Sequence, residues 1–160
     1  MSINTGLFTS VRPDWETPAE LFALYNAEYH FTLDVCATPE NAKCERFFTL
    51  DDDGLAQSWA GEMCWCNPPY GREVGAWVKK AAEESAHAKL IVLLLPARTD
   101  TAWWHDYVAP FASVDFLRGR VCFVGGDSSA PFPSAVAIYD YMFNVRWRDW
   151  KHETTKTGGS

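Results

Sequence analysis

The chain is organised around residues 63–71, which read Met-Cys-Trp-Cys-Asn-Pro-Pro-Tyr-Gly. The apolar half of this stretch predicts a strand, and the other half predicts a stiff turn directly after it. Pro69 has no N–H group and holds Pro68 in an extended backbone, so the Pro68 carbonyl is turned away from any regular ladder. The Asn67 amide and this carbonyl can together accept both hydrogens of an exocyclic amine, while the Tyr70 ring can stack on the flat molecule that carries it. An ordinary turn at a strand end is the alternative interpretation, since Asn and Pro are common turn residues.

Length and composition favour one globular domain. The chain has 160 residues, of which 48% are hydrophobic and 15% aromatic, enough for a substantial core. The sequence contains no apolar run long enough to span a bilayer and no charged-then-apolar signal pattern at its N-terminus. We therefore expect a cytoplasmic protein with no membrane partner.

Charge is unevenly distributed along the chain. The net charge is −7, with 3 Lys and Arg against 11 Asp and Glu in residues 1–70, and 11 against 10 in residues 71–160. A phosphate-binding face is therefore expected to come from the second part, although charge alone is more typical of an ordinary solvated surface. The basic residues considered there are Arg118, Arg120, Arg146, Arg148 and Lys151.

The five cysteines are predicted to be free thiols. An odd number in a chain without a signal sequence argues against a disulfide framework. Cys64 and Cys66 alternate in the predicted strand and so share one face, but no His pair or second short Cys motif completes a zinc site beside them. We expect no metal.

The segment before the central stretch predicts a helix and two strands. Residues 17–20, Thr-Pro-Ala-Glu, have the form of a capping box with Pro at the first helical position, and the helix is expected to end near Tyr29. Residues 31–37 alternate as a strand, residues 38–41 begin a short helical turn, and residues 45–50 are a second strand candidate.

The segment after the central stretch predicts two helices and four strands. A helix from about Glu73 to His87 turns one stripe inward, formed by Val74, Trp77, Val78, Ala81 and Ser85. The continuous apolar run at residues 89–95 is typical of a central strand covered on both faces. Asp100 or Thr101 is expected to cap the next helix. The remaining strands are predicted at residues 114–117, 121–124 and 135–141, the last two paired as a hairpin across the loop 125–134.

Alternating strands and helices predict an α/β fold with an open, mostly parallel sheet and an antiparallel hairpin at one edge. We expect a flexible arm over residues 1–14, one domain over residues 15–152 and a disordered tail over residues 153–160.

Polar side chains follow three of the predicted strands. Ligands of such sheets bind beyond the carboxyl ends of the strands. Asp34, residues 51–53 and residues 67–70 all fall at such ends, so the sequence predicts a binding site on that rim.

Six segments, read together, have a specific order. They are Trp-Glu-Thr-Pro at 15–18, Leu-Asp-Val-Cys-Ala at 33–37, Asn-Pro-Pro-Tyr at 67–70, Leu-Pro-Ala-Arg-Thr-Asp-Thr-Ala-Trp-Trp at 95–104, Arg-Gly-Arg at 118–120 and Ala-Pro-Phe-Pro-Ser at 130–134. Together they resemble the small phage and prophage DNA N-6-adenine-methyltransferase (Dam) family over roughly residues 15–141. The Asn-Pro-Pro-Tyr segment alone is shared by many adenine and some glutamine methyltransferases, whereas the combination is more specific. The resemblance implies a Rossmann-like methyltransferase fold, S-adenosylmethionine as the methyl donor and double-stranded DNA as the partner.

The resemblance also implies a catalytic role for residues 67–70. Accepting the hydrogens of the adenine amine at Asn67 and at the Pro68 carbonyl would favour the charge that develops on nitrogen during attack. Pro69 holds that carbonyl in place. Because the amine is hidden in a duplex, the adenine must be flipped out, and Tyr70 would stack on it. Phe132 is the candidate for the opposite face of the base, with a plain core aromatic as the alternative.

For the donor, the resemblance implies contacts from Trp15, Thr17, Pro18, Asp34, Cys36, Ala37, Asp51 and Asp53. Thr17 and Pro18 would lie beside the methionine moiety, and Asp34 would bind its amino group. An acid of residues 51–53 would bind the ribose hydroxyls or the adenine amine, with Asp53 preferred over Asp51 and a solvated acidic turn as the alternative. The Gly-rich turn that usually follows the first strand of a methyltransferase is absent here; the small residues Cys36 and Ala37 take its place.

DNA reading is expected to come from loops. Asp34 and Asn67 are only 33 positions apart, which leaves no room for a separate recognition domain. The candidate contacts are Arg98, Trp103, Trp104, Arg118 and Arg120, since Arg can pair bidentately with guanine in the major groove. The resemblance suggests a short palindrome such as GATC, methylated in the bacterial host cell by a phage- or prophage-encoded enzyme.

Two other functions compete with this interpretation. One keeps the enzyme but changes the acceptor to RNA adenine, cytosine N4 or a protein glutamine. The other is a catalytically silent nucleic-acid-binding protein of the same fold. The sequence leaves the oligomeric state open.

Overall fold

Five strands form one sheet in the computed structural model of this chain, which describes residues 15–140. They are β1 (Leu33–Asp34), β2 (Met63–Cys66), β3 (Leu90–Pro96), β4 (Ser113–Phe116) and β5 (Ser134–Tyr139), in the spatial order β1-β2-β3-β5-β4. β1, β2 and β3 are parallel, whereas β5 is antiparallel to both β3 and β4. Four strands therefore run the same way, which confirms an α/β fold with a mostly parallel open sheet. The predicted arm 1–14, the tail 153–160 and Arg146, Arg148 and Lys151 lie outside the described residues.

The middle of the sheet is apolar on both faces. Every residue of β3 is buried, as its continuous apolar run predicts. On one face of β2, the Trp65 ring packs roughly perpendicular to Phe22 at a centroid distance of 5.2 Å. On the other face, Cys64 contacts Trp59, and the Trp59 ring stacks on Trp77 at 6.3 Å. Since alternate residues of a strand point to opposite faces, the helices that carry Phe22 and Trp77 cover opposite sides of the sheet.

The first helix, α1 (Ala19–Tyr29), carries Phe22 and is confirmed, but its predicted capping box is wrong. Pro18 rather than Thr17 occupies the N-cap, with ψ 141°, and no side chain caps it. Thr17, one position before this N-cap, is buried and 2% exposed. The Pro18 carbonyl instead accepts the N–H groups of Leu21 and Phe22, both at 3.2 Å.

β1 is much shorter than the predicted strand 31–37. The Asp34 carboxylate accepts the backbone N–H groups of Cys36 and Lys43, which folds the chain away from the sheet directly after the strand. Residues 45–50 lie beside β1, where Phe47 makes an isolated parallel bridge with Asp34, but they are not a regular strand.

The predicted pairing of residues 121–124 with the last strand is wrong. β5 pairs with β3 and β4, and residues 121–124 contribute only an isolated bridge between Val124 and Glu16. Gly119 and Gly125 adopt φ values of 78° and 85°, which take the chain out of the extended conformation on both sides of this apolar segment.

The helices after β2 and β3 follow the predicted spacing. α2 (Val74–Glu84) is shorter than predicted at its C-terminal end, and all five residues of its inward stripe are buried. The next helix includes a π-helical segment, Trp104–Val108, and the Thr101 hydroxyl rather than Asp100 accepts the Trp104 N–H at 3.3 Å. Within residues 15–140 no helix combines the length and apolarity needed to cross a bilayer.

Candidate active site

The carboxyl ends of β1 and β2 open into a cavity of about 900 Å³. Small-molecule sites of proteins commonly have about 300–1,000 Å³. Seven of the residues predicted to contact the cofactor line this cavity, namely Trp15, Thr17, Asp34, Cys36, Ala37, Asp51 and Asp53. Pro18 is buried and does not line it. Asn67, Pro68 and Pro69 also line it, so the two predicted groups of residues share one space.

The cavity lining is strongly acidic. Its acidic residues are Glu16, Asp34, Glu40, Asp51, Asp53 and Glu73, and its basic residue is Lys43. The Lys43 ammonium lies 3.4 Å from the Glu16 carboxylate. An acidic cavity attracts a cationic ligand. Sequence reasoning missed Glu16, Glu40, Lys43 and Glu73, because only the folded chain brings residue 16, residues 40–43 and residue 73 to one cavity.

Asn67 is held in place by a hydrogen bond from the nitrogen of its side-chain amide. Its Nδ2 donates to the Trp15 carbonyl at 2.6 Å, while its Oδ1 is buried and has no hydrogen-bond partner in the described part of the chain. A carbonyl only accepts, so the nitrogen has to face Trp15 and the oxygen has to face away. Among residues 15–140, nothing donates to the Pro68 carbonyl either. Two neighbouring residues that line the cavity therefore each have an acceptor without a donor from the described part of the chain.

Tyr70 lies inside a cluster of four aromatic rings, Trp15, Tyr70, Phe123 and Phe132. The Tyr70 side chain is 9% exposed, and its hydroxyl donates to the Leu94 carbonyl at 3.3 Å. Burial raises the pKa of Tyr70 well above its usual range, so the ring stays a neutral phenol. Trp15 is nearly parallel to it, with an interplanar angle of 26° and centroids 6.2 Å apart. Phe123, which sequence reasoning missed, meets it edge-on at 6.1 Å.

Phe132, the predicted second face for the base, belongs to the same cluster and is nearly perpendicular to Tyr70. Its centroid lies 5.4 Å from that of Tyr70, with an interplanar angle of 78°. Its contact with a base stays a prediction.

Asp34 is a buried carboxylate on the cavity wall. It is 3% exposed, and its oxygens accept the Lys43 N–H at 3.0 Å and the Cys36 N–H at 3.3 Å. Burial raises the pKa of Asp34 to about 6, against the lowering effect of those two hydrogen bonds and of the Lys43 charge. The residue is thus held firmly in place and titrates near neutrality.

Neighbouring residues of the acidic turn after residue 50 have different roles. The Asp52 carboxylate accepts the Thr49 N–H at 2.8 Å and the Thr49 hydroxyl at 2.9 Å, so it closes the turn. Asp51 and Asp53 are exposed and line the cavity. Asp53 adopts φ 55°, a left-handed conformation that Asp tolerates better than most residues.

The predicted arginines are exposed at the same edge of the sheet. Arg98 follows β3, and Arg118 and Arg120 follow β4. The Arg120 guanidinium donates to the Ala130 carbonyl at 3.3 Å, which ties this turn to the segment before β5. Arg72, exposed after β2, completes the group and was missed although it directly follows the Asn-Pro-Pro-Tyr-Gly segment.

The two tryptophans proposed to contact DNA have different positions. Trp104 is 5% exposed and stacks on Phe116 at 6.2 Å, which makes it a core residue. Trp103 is half-buried and packs against Gly75 of α2.

The five cysteines are free thiols. Burial raises the pKa of Cys36 to about 12 and that of Cys66 well above its usual range, so both stay protonated at neutral pH. Across residues 15–140 there is no group of three or more His, Cys, Asp or Glu residues placed to hold a metal ion.

Comparisons with known proteins agree on one family. The profile of DNA N-6-adenine-methyltransferase (Dam) matches residues 4–157. The DNA N-6-adenine-methyltransferase of Escherichia phage T1 is 32% identical in an alignment of 136 positions, gaps included, and the match covers 74% of this chain and 57% of that protein. The protein of the same name from Haemophilus phage HP1 is 29% identical in an alignment of 118 positions, gaps included, and the match covers 71% of this chain and 68% of that protein. The match thus spans little more than half of the phage T1 relative.

Among solved structures, one from Thermoplasma acidophilum covers 76% of this chain and 86% of its own with a TM-score of 0.43 and 8% identity, a likeness too low to support an inference. The family match, by contrast, covers nearly the whole chain. The chain therefore belongs to the DNA N-6-adenine-methyltransferase (Dam) family.

Proposed function

We propose that this protein transfers a methyl group from S-adenosylmethionine to N6 of an adenine flipped out of double-stranded DNA, within a Rossmann-like methyltransferase fold. One observation carries the proposal: the buried Asn67 Oδ1 has no hydrogen-bond partner among the described residues, and Asn67 and the next residue, Pro68, line the same cavity. An unpaired buried acceptor costs about 1–3 kcal/mol, so its retention calls for a ligand that donates to it.

The adenine amine has two hydrogens for these two acceptors. Its lone pair is conjugated with the ring, which makes it a poor nucleophile. When Asn67 Oδ1 and the Pro68 carbonyl accept its hydrogens, they stabilise the positive charge that develops on nitrogen during attack. Fixed dipoles of this kind contribute roughly 100- to 1,000-fold to the rate of an enzyme.

The cavity fits the proposed donor in charge and in position. S-adenosylmethionine supplies an electrophilic methyl group on a cationic sulfonium, and six acidic residues surround the space that would hold it. Asp34 would bind its ammonium group, Thr17 would lie beside the methionine moiety, and Asp51 or Asp53 would bind the nucleoside. Because Asn67 and Pro68 line the same cavity, the amine would be aligned with the methyl group when both bind.

The DNA would lie across the edge that carries the exposed arginines. Arg72, Arg98, Arg118 and Arg120 come from loops after β2, β3 and β4, and they would contact phosphates and base edges there. A short palindrome such as GATC is the proposed target, reached in the cytoplasm of a bacterial host.

Transfer of labelled methyl to unmethylated duplex DNA, followed by nucleoside analysis, tests the proposal. We expect labelled N6-methyladenine from the unaltered protein and at least about a 100-fold loss from folded Asn67→Ala and Tyr70→Ala proteins. Methyl transfer by folded Asn67→Ala at the rate of the unaltered protein would contradict the mechanism. Donor binding without label on DNA would redirect the search to RNA adenine, cytosine N4 or protein glutamine. Absence of donor binding would favour a silent nucleic-acid-binding protein.

A further inference from the structure

We propose that the flipped adenine is held between Trp15 and Tyr70, with Trp15 as the second stacking face. This inference rests on the proposed function and adds a residue that contacts the base. The family resemblance gave Trp15 only to the methyl donor.

The orientation of the four rings singles out Trp15. A flat base stacks on the face of an aromatic ring, and Trp15 lies only 26° from parallel to Tyr70. Phe123 and Phe132 stand at 81° and 78° to Tyr70, so a base parallel to Tyr70 would be nearly perpendicular to both and could not stack on either. Within this cluster, a base on the Tyr70 face therefore finds its second face in Trp15.

A base that enters between the two rings has to move them apart. Two stacking contacts require about 7 Å between the planes of the outer rings, whereas the Trp15 and Tyr70 centroids are only 6.2 Å apart. The centroid distance is an upper limit on the distance between the planes, so the rings must separate before an adenine can stack on both. Tyr70 is 9% exposed, so a base can reach its face only when a ring packed against it moves, and a move of Trp15 would open a gap between two nearly parallel rings.

The backbone of Trp15 contacts Asn67, the side chain proposed to accept a hydrogen from the adenine amine. Its carbonyl accepts the Asn67 Nδ2 at 2.6 Å, so the residue that stacks on the base also orients the amide that receives the base's amine. Trp15 and Asn67 both line the donor cavity. Trp15 therefore stands at the boundary between donor and acceptor, where a stacking face keeps N6 within reach of the methyl group.

The segment that carries Trp15 is itself anchored. The Glu16 carbonyl accepts the Val124 N–H at 2.9 Å, and the Glu16 carboxylate pairs with Lys43 at 3.4 Å. Glu16 follows Trp15 and Val124 follows Phe123, so the hydrogen bond between Glu16 and Val124 links the backbone segments that carry the Trp15 and Phe123 rings. These bonds hold the backbone of the segment, so the movement that admits the base falls to the Trp15 side chain.

Photocrosslinking of the unaltered protein tests the sandwich directly. Once the methylated adenine has been mapped, 5-iodouracil replaces it in a duplex, and irradiation joins the base to the rings that stack on it. Peptide mapping is expected to find crosslinks at Tyr70 and Trp15. Crosslinks at Tyr70 with Phe132 or Phe123, and none at Trp15, would overturn the inference while the proposed function stands.

Kinetics at saturating S-adenosylmethionine give an independent test, because saturation removes any effect of Trp15 on donor binding. Stacking of one base predicts that Trp15→Ala lowers kcat/KM for DNA by about 5- to 150-fold. Trp15→Phe, which keeps a ring, should recover most of this loss, and Phe132→Ala should lose less than Trp15→Ala. A larger loss from Phe132→Ala, or an unchanged kcat/KM in Trp15→Ala, would overturn the inference. Absence of methyl transfer to DNA by the unaltered protein would instead overturn the proposed function together with it.

Discussion

The amide of Asn67 donates to the carbonyl of Trp15 at 2.6 Å, a contact between residues 52 positions apart. This contact decides which way the amide points, because a carbonyl accepts and never donates. It therefore leaves Oδ1 free for an incoming amine. An asparagine can satisfy both needs at once, whereas an aspartate has two acceptors and no donor.

Replacing Asn67 by Asp separates these two needs. The carboxylate keeps oxygens for the amine, but it places an acceptor against the Trp15 carbonyl and loses the hydrogen bond. We expect Asn67→Asp to lower the free energy of unfolding by about 1–3 kcal/mol and to weaken methyl transfer. Denaturant titration and the methyl-transfer assay measure the two effects. Unchanged stability and transfer in Asn67→Asp would show that the contact orients nothing.

Asp34 predicts a pH-dependent stability. Its pKa is raised from 3.8 to about 6 by burial, so the folded state binds this proton more tightly than the unfolded state. The stabilising contribution is therefore complete below about pH 4 and is lost as the pH rises through 6, a change on the order of 3 kcal/mol. From pH 7 to pH 5 the free energy of unfolding of the unaltered protein should rise relative to that of Asp34→Asn.

The comparison with Asp34→Asn cancels the other carboxylates. Asp52 and Glu62 have lowered pKa values through their hydrogen bonds, and their contributions are lost as the pH falls, the opposite direction. Both proteins share them, so only the Asp34 effect remains in the difference. A difference that stays constant between pH 5 and pH 7 would contradict the prediction.

Local patterns predicted the parts of the fold that depend on neighbours in sequence. The apolar run of β3 and the five-residue inward stripe of α2 are buried as predicted, because periodicity and burial are directly linked. The turn at residues 67–70 likewise follows β2 directly, since two prolines end a strand in any context.

Long-range pairing could not be predicted in the same way. Residues 121–124 read as a strand, but the left-handed conformation of Gly119 and Gly125 excludes them from the sheet, and β4 takes their place beside β5. The four-ring cluster joins positions 15, 70, 123 and 132, and no sequence spacing relates them. The sequence therefore predicted Tyr70 and Phe132 as the two faces of a base site, but it could not predict that these rings are nearly perpendicular.

Gly54 lines the cavity and packs so closely against its neighbours that this position should not tolerate a side chain. A Cβ atom there would lie 2.2 Å from the Val35 carbonyl oxygen and 3.1 Å from the Trp77 ring. The Gly54 carbonyl also accepts the indole N–H of Trp59 at 2.9 Å, which limits how far the backbone can shift. We expect Gly54→Ala to cost about 1–3 kcal/mol of stability or more, as measured by denaturant unfolding.

Gly75→Ala is the matched control. Gly75 lies in α2, and a Cβ atom there would be 3.7 Å from Trp103, an ordinary contact. Alanine in a helix is favoured over glycine by up to about 1 kcal/mol, so this variant should equal or exceed the unaltered protein in stability. If both variants unfold alike, the close approach of Gly54 to Val35 is not what constrains this position.

The exposed arginines predict a salt-dependent affinity for DNA under the proposed function. Each phosphate contact contributes about 0.9 to the slope of log K against log salt concentration, through release of counterions. We expect Arg98→Ala and Arg118→Ala each to weaken DNA binding and to reduce that slope by up to about one. Lys79→Ala removes the same charge from the exposed side of α2, beside Glu83 and away from the strand ends, and should leave the slope unchanged. Fluorescence anisotropy with a labelled duplex at several salt concentrations gives all four slopes. An equal reduction in Lys79→Ala would show that net charge, rather than this edge of the sheet, governs binding.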